Sequence, residues 1–381
     1  MCRLALKTAI TPFSPYSVLQ AMETMKEGYD GSGLGLLMRG VSFTDFSYRT
    51  PDPILSGIAH TKEALDRMND IMREKGFHKT YDHDFNADTS LLEIQDRFKY
   101  FIRVYKMPKH WDQYDQERIE QELMLTRLQL RQAGEENNGD LSVFSVWPDV
   151  IMIKEIGWPE AVGRGLGLDD DRIQARLIMA QGRQNTNWGI NLHACHPFFL
   201  QGIASMTNGE NTAFITSRDW LLGRGFPGYC GYQSDSEVFA HTLHYMLKTL
   251  KLPLEAYKHI ITPLSTGELD RHSQADFLKG LRNVCRNLII DGPNCTIASL
   301  PDETCLMVMD QKKMRPGTVG GKPGEWAMAS EMCGVAALVP DRDPALDFQP
   351  MRNDTVVVGP DRERYEVWSQ ADPLPLLREA V

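Results

Sequence analysis

The chain has 381 residues, 42% of them hydrophobic and 24% charged. That is enough apolar material for a sizeable core and excludes disorder of the whole chain. Its 41 basic and 51 acidic residues leave a formal charge of −10 with no Lys/Arg block, which argues against a general nucleic-acid binder. The longest stretch without Asp, Glu, Lys or Arg, residues 184–209, is rich in Asn and holds two histidines and a proline. It is too polar for a membrane span, which needs about 20 mainly apolar residues.

Residues 2–6 read as a short strand. Ser14 offers an N-cap and Pro15 a first helical position. Tyr16, Val18, Leu19, Met22 and Met25 follow at roughly helical spacing, and Gly28 closes the helix. Asp30-Gly31-Ser32-Gly33 then turns the chain into a strand over 34–38. Residues 60–140 have a different texture and are expected to be a helical insertion within a single 1–381 domain. It carries one amphipathic helix over 61–74 and a long, charge-rich one over 112–133. Beyond it, 142–146 and 150–154 flank Trp147-Pro148-Asp149 like a hairpin. Strands are expected over 175–180 and 201–206, and helices over 235–250 and 273–288. The first of those helices opens on Ser234-Asp235-Ser236-Glu237, a capping-box pattern. The last third alternates short strands over 295–300, 306–310, 325–330, 355–358 and 365–368. The mixture predicts an α+β or layered α/β architecture with antiparallel sheets.

Seven cysteines (Cys2, Cys195, Cys230, Cys285, Cys295, Cys305 and Cys333) form no C-x-x-C pair. This argues against a zinc ribbon, an iron–sulfur cluster and a thioredoxin-type site. His193/His196 and His241/His244 lack carboxylate or Cys partners at metal-like spacing, so no metal is expected. Gly31-Ser32-Gly33-Leu34-Gly35 lacks dinucleotide spacing. Gly320-Gly321-Lys322-Pro323 fails as a phosphate loop because Pro316 and Pro323 stand where Gly and Ser/Thr belong. No signal peptide is visible, and the expected location is the cytoplasm.

Met1-Cys2 is the first pattern with chemistry in it. Removal of Met1 leaves Cys2 with a free α-amine, titrating near ~8, beside its own thiol near ~8.5. One residue then supplies both base and nucleophile. Taken alone, it is also simply a cysteine in second place. Asn208-Gly209 at a strand end can aim a side-chain amide and a backbone N–H at one spot, as an oxyanion hole requires, or can be an ordinary turn. Arg183, opening the charge-free stretch, suits a carboxylate ligand or a structural ion pair. Asp235 in a first helical turn compensates the dipole or anchors a substrate ammonium.

Together these residues describe a glutamine site, and their order resembles the class II, N-terminal-nucleophile glutamine amidotransferases. The motifs are Gly182-Arg183-Gln184-Asn185-Thr186-Asn187, Asn208-Gly209-Glu210 and Ser234-Asp235-Ser236-Glu237. Residues 149–157, Cys195-His196-Pro197-Phe198, Asp291-Gly292-Pro293, residues 310–316 and Met328-Ala329-Ser330-Glu331 are most similar to the amidotransferase domain of glutamate synthases, especially its stand-alone form. The resemblance covers about residues 1–40 and 141–370. It departs from the family at Thr207, where His is usual, at Gln181-Gly182, where His and a small residue are usual, and in a shortened Asn208–Thr212 segment.

The resemblance implies a four-layer αββα sandwich of the N-terminal-nucleophile hydrolase type. It implies catalysis by Cys2, Asn208 and Gly209, with L-glutamine held by Arg183 and Asp235. No cofactor is expected in this chain; FMN and an iron–sulfur cluster are expected only on a glutamate synthase-like partner that takes the ammonia. Two rivals stand beside this reading. One is a free amidohydrolase of another γ-glutamyl amide, and the other is a non-catalytic regulatory subunit that keeps the fold.

Overall fold

The computed structural model describes residues 2–26, 28–43, 46–47, 51–92, 99–184, 189–226, 229 and 234–375. The chain, expected from sequence to be one domain, divides into two compact units: residues 1–10, 24–28 and 198–381, and residues 11–23 and 29–197. It is a mixed α/β protein, and its described strand pairings with a resolved register are antiparallel.

In the first unit, the 3–10 part of the strand Arg3–Phe13 pairs with Glu325–Ala329, with Leu6 opposite Met328. Glu325–Ala329 in turn pairs with Thr318–Lys322, closing a hairpin. A second sheet runs in the order Phe198–Leu200, Ile203–Gly209, Asn294–Ser299, Cys305–Met309, Asp354–Val358 and Glu366–Ser369. Gln201 and Gly202, with φ of 44° and 84°, make the two-residue turn between the first two of these strands, the backbone geometry that matches strand twist in a tight hairpin.

One face of this second sheet is apolar and packs under helices. Ile203, Ala298, Leu306, Val308 and Val357 share a buried cluster with Val238, Phe239 and Leu243 of Glu237–His244, and with Tyr257, Ile260 and Ile261 of Ala256–Ile261. On the opposite face, a Cβ added at Gly317 would lie 2.8 Å from Met307 Sδ and 2.9 Å from Cys295 Sγ. The Thr318–Lys322 hairpin therefore enters hard against Asn294–Ser299 and Cys305–Met309. The helix Met332–Leu338 packs on that hairpin.

The second unit holds the strands Ala175–Gly182, Leu34–Arg39 and Val150–Glu155, paired in that order. It also holds a four-stranded sheet ordered His78–Asp84, Lys99–Lys106, Pro53–Ala59, Leu141–Pro148. Thr61 caps the helix Lys62–Glu74 by accepting from the Ala64 N–H, and Asp115 caps Gln116–Glu135 through the Arg118 N–H.

Three sequence expectations need correction. The 60–140 stretch is not helical throughout, because the strands His78–Asp84 and Lys99–Lys106 lie within it. The first of these strands is nearly all polar and largely exposed, so no apolar alternation marks it. Leu141–Pro148 and Val150–Glu155 are not a hairpin: they belong to different sheets, and Asp149 between them turns with φ 59°. Both strands are buried along almost their whole length, and a continuous apolar run does not reveal its partner. The helix expected over 235–250 begins at Glu237, stays α-helical to His244 and ends in a wider turn over Tyr245–Thr249. Among the described residues no helix is long and apolar enough to cross a membrane.

Candidate active site

Cys2 leads directly into the strand Arg3–Phe13 and is half-buried. Its backbone N–H donates to Asn208 Oδ1 at 3.2 Å, a contact across 206 positions of sequence. Ser330, fully buried, grips the same segment. Its Oγ accepts from the Leu4 N–H at 3.0 Å and donates to the Cys2 carbonyl at 3.4 Å, and its N–H donates to the Leu4 carbonyl at 3.0 Å. Sequence reasoning gave Ser330 no role, although it lies within the segment Met328–Glu331 that carried the resemblance.

Asn208 is 1% exposed near the end of Ile203–Gly209, opposite Cys295. Its Oδ1 is engaged by Cys2, while its Nδ2 is buried with no hydrogen-bond partner among the described residues. A buried amide N–H without an acceptor costs about 1–3 kcal/mol, so this atom is one that a ligand oxygen would satisfy. Gly209 follows with φ 151°, and a Cβ there would fall 2.0 Å from the Pro293 carbonyl oxygen. Only glycine fits so close an approach, and the chain continues from it with the Glu210 N–H donating to the same carbonyl at 3.0 Å.

Asp235 reaches the same strand end. Its Oδ2 accepts from the Asn211 N–H at 2.7 Å, and its Oδ1 accepts from Ser236 Oγ at 2.9 Å. Burial pushes its pKa above the ordinary carboxylate value, and the nearby negative charge of Glu210 adds to this; the Asn211 and Ser236 hydrogen bonds oppose it. The capping box expected at this helix start is not formed, since Ser236 is the N-cap residue but makes no side-chain cap bond. A made cap is worth about 0.5–2 kcal/mol, and here the hydroxyl is turned to Asp235 instead.

Cys2, Asn208, Gly209 and Asp235 all belong to the first unit. Arg183 belongs to the second, where it is 7% exposed at the end of Ala175–Gly182. Its N–H donates to the Gly33 carbonyl at 2.7 Å, and its carbonyl accepts from Ser32 Oγ at 3.2 Å. A Cβ on Gly33 would lie 2.4 Å from Cys195 Sγ, and one on Gly35 1.5 Å from the His196 carbonyl oxygen. The glycine-rich stretch is thus the floor under residues 195–196. Burial, followed by the charges of Arg183 and Lys154, holds His196 well below its ordinary pKa. The motif residues Asn185, Thr186 and Asn187 lie outside the described residues, as does Cys230.

Two of the other thiols are held protonated by burial. Burial pushes Cys285 up to about 11 and Cys295 up to about 12, and a protonated thiol does not attack. Cys195 and Cys305 are buried, while Cys333 is exposed. Among the described residues no group of His, Cys, Asp and Glu is placed to hold a metal.

No protein-family model matches the chain. It is 23% identical over 354 residues to an uncharacterized protein of Archaeoglobus fulgidus, covering 91% of this chain and 88% of that one. Similar solved structures include an allosteric regulatory enzyme of purine biosynthesis, with TM-score 0.40, 14% identity and 58% of this chain covered. A glutamine phosphoribosylpyrophosphate amidotransferase from B. subtilis gives TM-score 0.35 at 14% identity over 59% of this chain. The chain spans 41% of the length of each of these two. A glutamine aminotransferase class-II domain protein from Silicibacter pomeroyi gives TM-score 0.32 at 12% identity, covering 90% of this chain and 100% of that one.

Proposed function

We propose that the chain is a class II glutamine amidotransferase that hydrolyses the side-chain amide of L-glutamine through a thioester on Cys2. The observation that carries this reading is the Asn208 side chain. Its oxygen is tied to Cys2 and its buried Nδ2 has no partner among the described residues, so one amide links the nucleophile's residue to a waiting donor. The reading requires Cys2 to carry a free α-amine.

In the proposed reaction the α-amine takes the thiol proton. Cys2 Sγ attacks the glutamine amide carbon; the C–S bond forms, and the carbonyl electron pair moves to oxygen. Asn208 Nδ2–H and the Gly209 N–H donate to that oxyanion. The ammonium passes its proton to the amide nitrogen, the C–N bond breaks, and ammonia leaves. Water then cleaves the γ-glutamyl thioester, giving glutamate and restoring the thiol. Asp235 binds the substrate ammonium and Arg183 its carboxylate. The fold proposed is the four-layer αββα sandwich. In its support, the second sheet of the first unit packs under helices on one face and meets the Thr318–Lys322 hairpin on the other.

The finer proposal is that the ammonia passes to a glutamate synthase-like partner carrying FMN and an iron–sulfur cluster. Its support is the ordered set of sequence segments, together with the lack of any phosphate loop or dinucleotide fingerprint for using ammonia in this chain. The test is ammonia release from glutamine and from γ-glutamyl peptides, with and without such a partner, for the wild type and Cys2→Ala. The expected result is glutamine-selective release that the partner stimulates and that Cys2→Ala abolishes. Release that survives Cys2→Ala overturns the nucleophile, and high turnover that no partner changes overturns the partner.

A further inference from the structure

Ser236 stands between two other oxygens. Thr207 Oγ1 donates to Ser236 Oγ at 2.9 Å, and Ser236 Oγ donates to Asp235 Oδ1 at 2.9 Å. A hydroxyl has one hydrogen, so with Thr207 donating to it, Ser236 directs its own toward the carboxylate. The other carboxylate oxygen takes the Asn211 N–H. Asn211 is itself fixed, its Oδ1 accepting from the Ala213 N–H at 3.1 Å and the Asp291 N–H at 3.4 Å. Thr207, Ser236 and Asn211 are 2%, 4% and 4% exposed, so water does not compete for these bonds.

The donors to Asp235 among the described residues are neutral. They fix the plane of the carboxylate without cancelling its charge, and the neighbouring charge acting on it, that of Glu210, has the same sign. Thr207 directly precedes Asn208 in the strand, so the strand that positions the oxyanion donor on one face positions the carboxylate from its other face. This also gives a physical role to one of the residues that depart from the family pattern.

We propose that Thr207 and Ser236 are positioning residues that hold the Asp235 carboxylate in one orientation for a substrate α-ammonium group. They set selectivity for an amino-acid amide over the same amide without its amino group, and they leave the rate of amide cleavage alone. This rests on the proposed glutamine hydrolysis.

The experiment compares the full-length wild type with Thr207→Val, Ser236→Ala and the conservative Thr207→Ser. Ammonia release is measured from glutamine and from glutaramate, the five-carbon monoamide lacking the α-amine. Thr207→Val and Ser236→Ala are expected to raise KM for glutamine about tenfold, the scale of one hydrogen bond to a charged group, with kcat within about twofold. Glutaramate kinetics should not change, and Thr207→Ser should restore the wild-type KM. Equal losses on both amides, a fall in kcat at unchanged KM, or no loss at all would overturn the proposal. A parallel carboxyl-carbon NMR titration of Asp235 separates the two readings. Its midpoint is expected to rise in Thr207→Val and Ser236→Ala, and an unmoved midpoint removes the relay whatever the kinetics show. A wild type that leaves both amides intact removes the glutamine reading, and with it the ammonium anchor, even if the midpoint moves.

Discussion

Two aspartates show the difference between a carboxylate that holds structure and one proposed to hold substrate. Asp84, at the end of the strand His78–Asp84 in the second unit, accepts from Arg103 Nη2 at 2.6 Å and lies 3.2 Å from Lys99 Nζ. Its partial burial pushes its pKa up, but the Arg103 hydrogen bond and charge, with those of Lys99, outweigh this and hold it below the ordinary value. Asp235, in the first unit, is half-buried and meets only neutral N–H and O–H donors among the described residues, and its pKa is raised by burial. A fold that needs a carboxylate for itself supplies the cation. At Asp235 the described donors supply orientation, and in the proposed reading the cation is the substrate's ammonium.

The comparison can be broken or sharpened by substitution. The largest effect short of losing the nucleophile is expected from Asn208→Ala, which should lower kcat about 10²–10³-fold, the usual cost of one oxyanion donor. Its KM for glutamine should stay near the wild-type value, since the bond is made in the transition state. Asp235→Asn should instead raise KM by about tenfold or more, with kcat little changed. Steady-state kinetics on the two variants decide between these roles, and an identical kcat loss in both would merge them.

Stability should move in the opposite sense at the two aspartates. The folded pKa of Asp235 is raised, so its contribution is complete below the unfolded value of about 3.9 and is lost as pH rises through the folded one. At pH 7 the buried charge is a cost, and Asp235→Asn should raise the melting temperature by about 2 °C, an advantage that fades as pH falls toward 4. The folded pKa of Asp84 is depressed, so its contribution is present above about 3.9 and is lost as pH falls through its folded value. Asp84→Asn should lower the melting temperature at pH 7 by about 1–2 °C, the scale of a partly exposed ion pair, and leave glutamine kinetics unchanged. Thermal melts at pH 7 and pH 4 check both signs.

Local rules were legible in the sequence. The capped helix Lys62–Glu74, the strand Leu34–Arg39 and the strand Asn294–Ser299 follow from spacing, end signals and apolar runs. The strand Thr318–Lys322 was hidden, because Gly320-Gly321 carries no apolar alternation. The pairing of Leu141–Pro148 with Pro53–Ala59 was hidden because both strands are buried on both faces. Asn208, Gly209 and Asp235 stand out in the sequence only as members of an ordered set of motifs, while the bond between Cys2 and Asn208 spans 206 positions and no local pattern encodes it. The capping box expected over 234–237 does not form for a physical reason: the helix starts two residues later, with Ser236 as its N-cap residue, and a Ser before a helix has the same local signature whether its hydroxyl caps the helix or turns to a neighbouring carboxylate.

The most direct measurement is labelling with a glutamine-shaped electrophile, such as a diazoketone analogue of glutamine, followed by peptide mapping of every cysteine. The glutamine shape matters, because exposed Cys333 would react with a general thiol reagent. The predicted result is a single modification, on Cys2, prevented by excess glutamine and accompanied by complete loss of ammonia release. Modification of Cys195, Cys230 or Cys333 instead, or an unlabelled Cys2 in protein that still turns over glutamine, would contradict the assignment of Cys2 as the nucleophile.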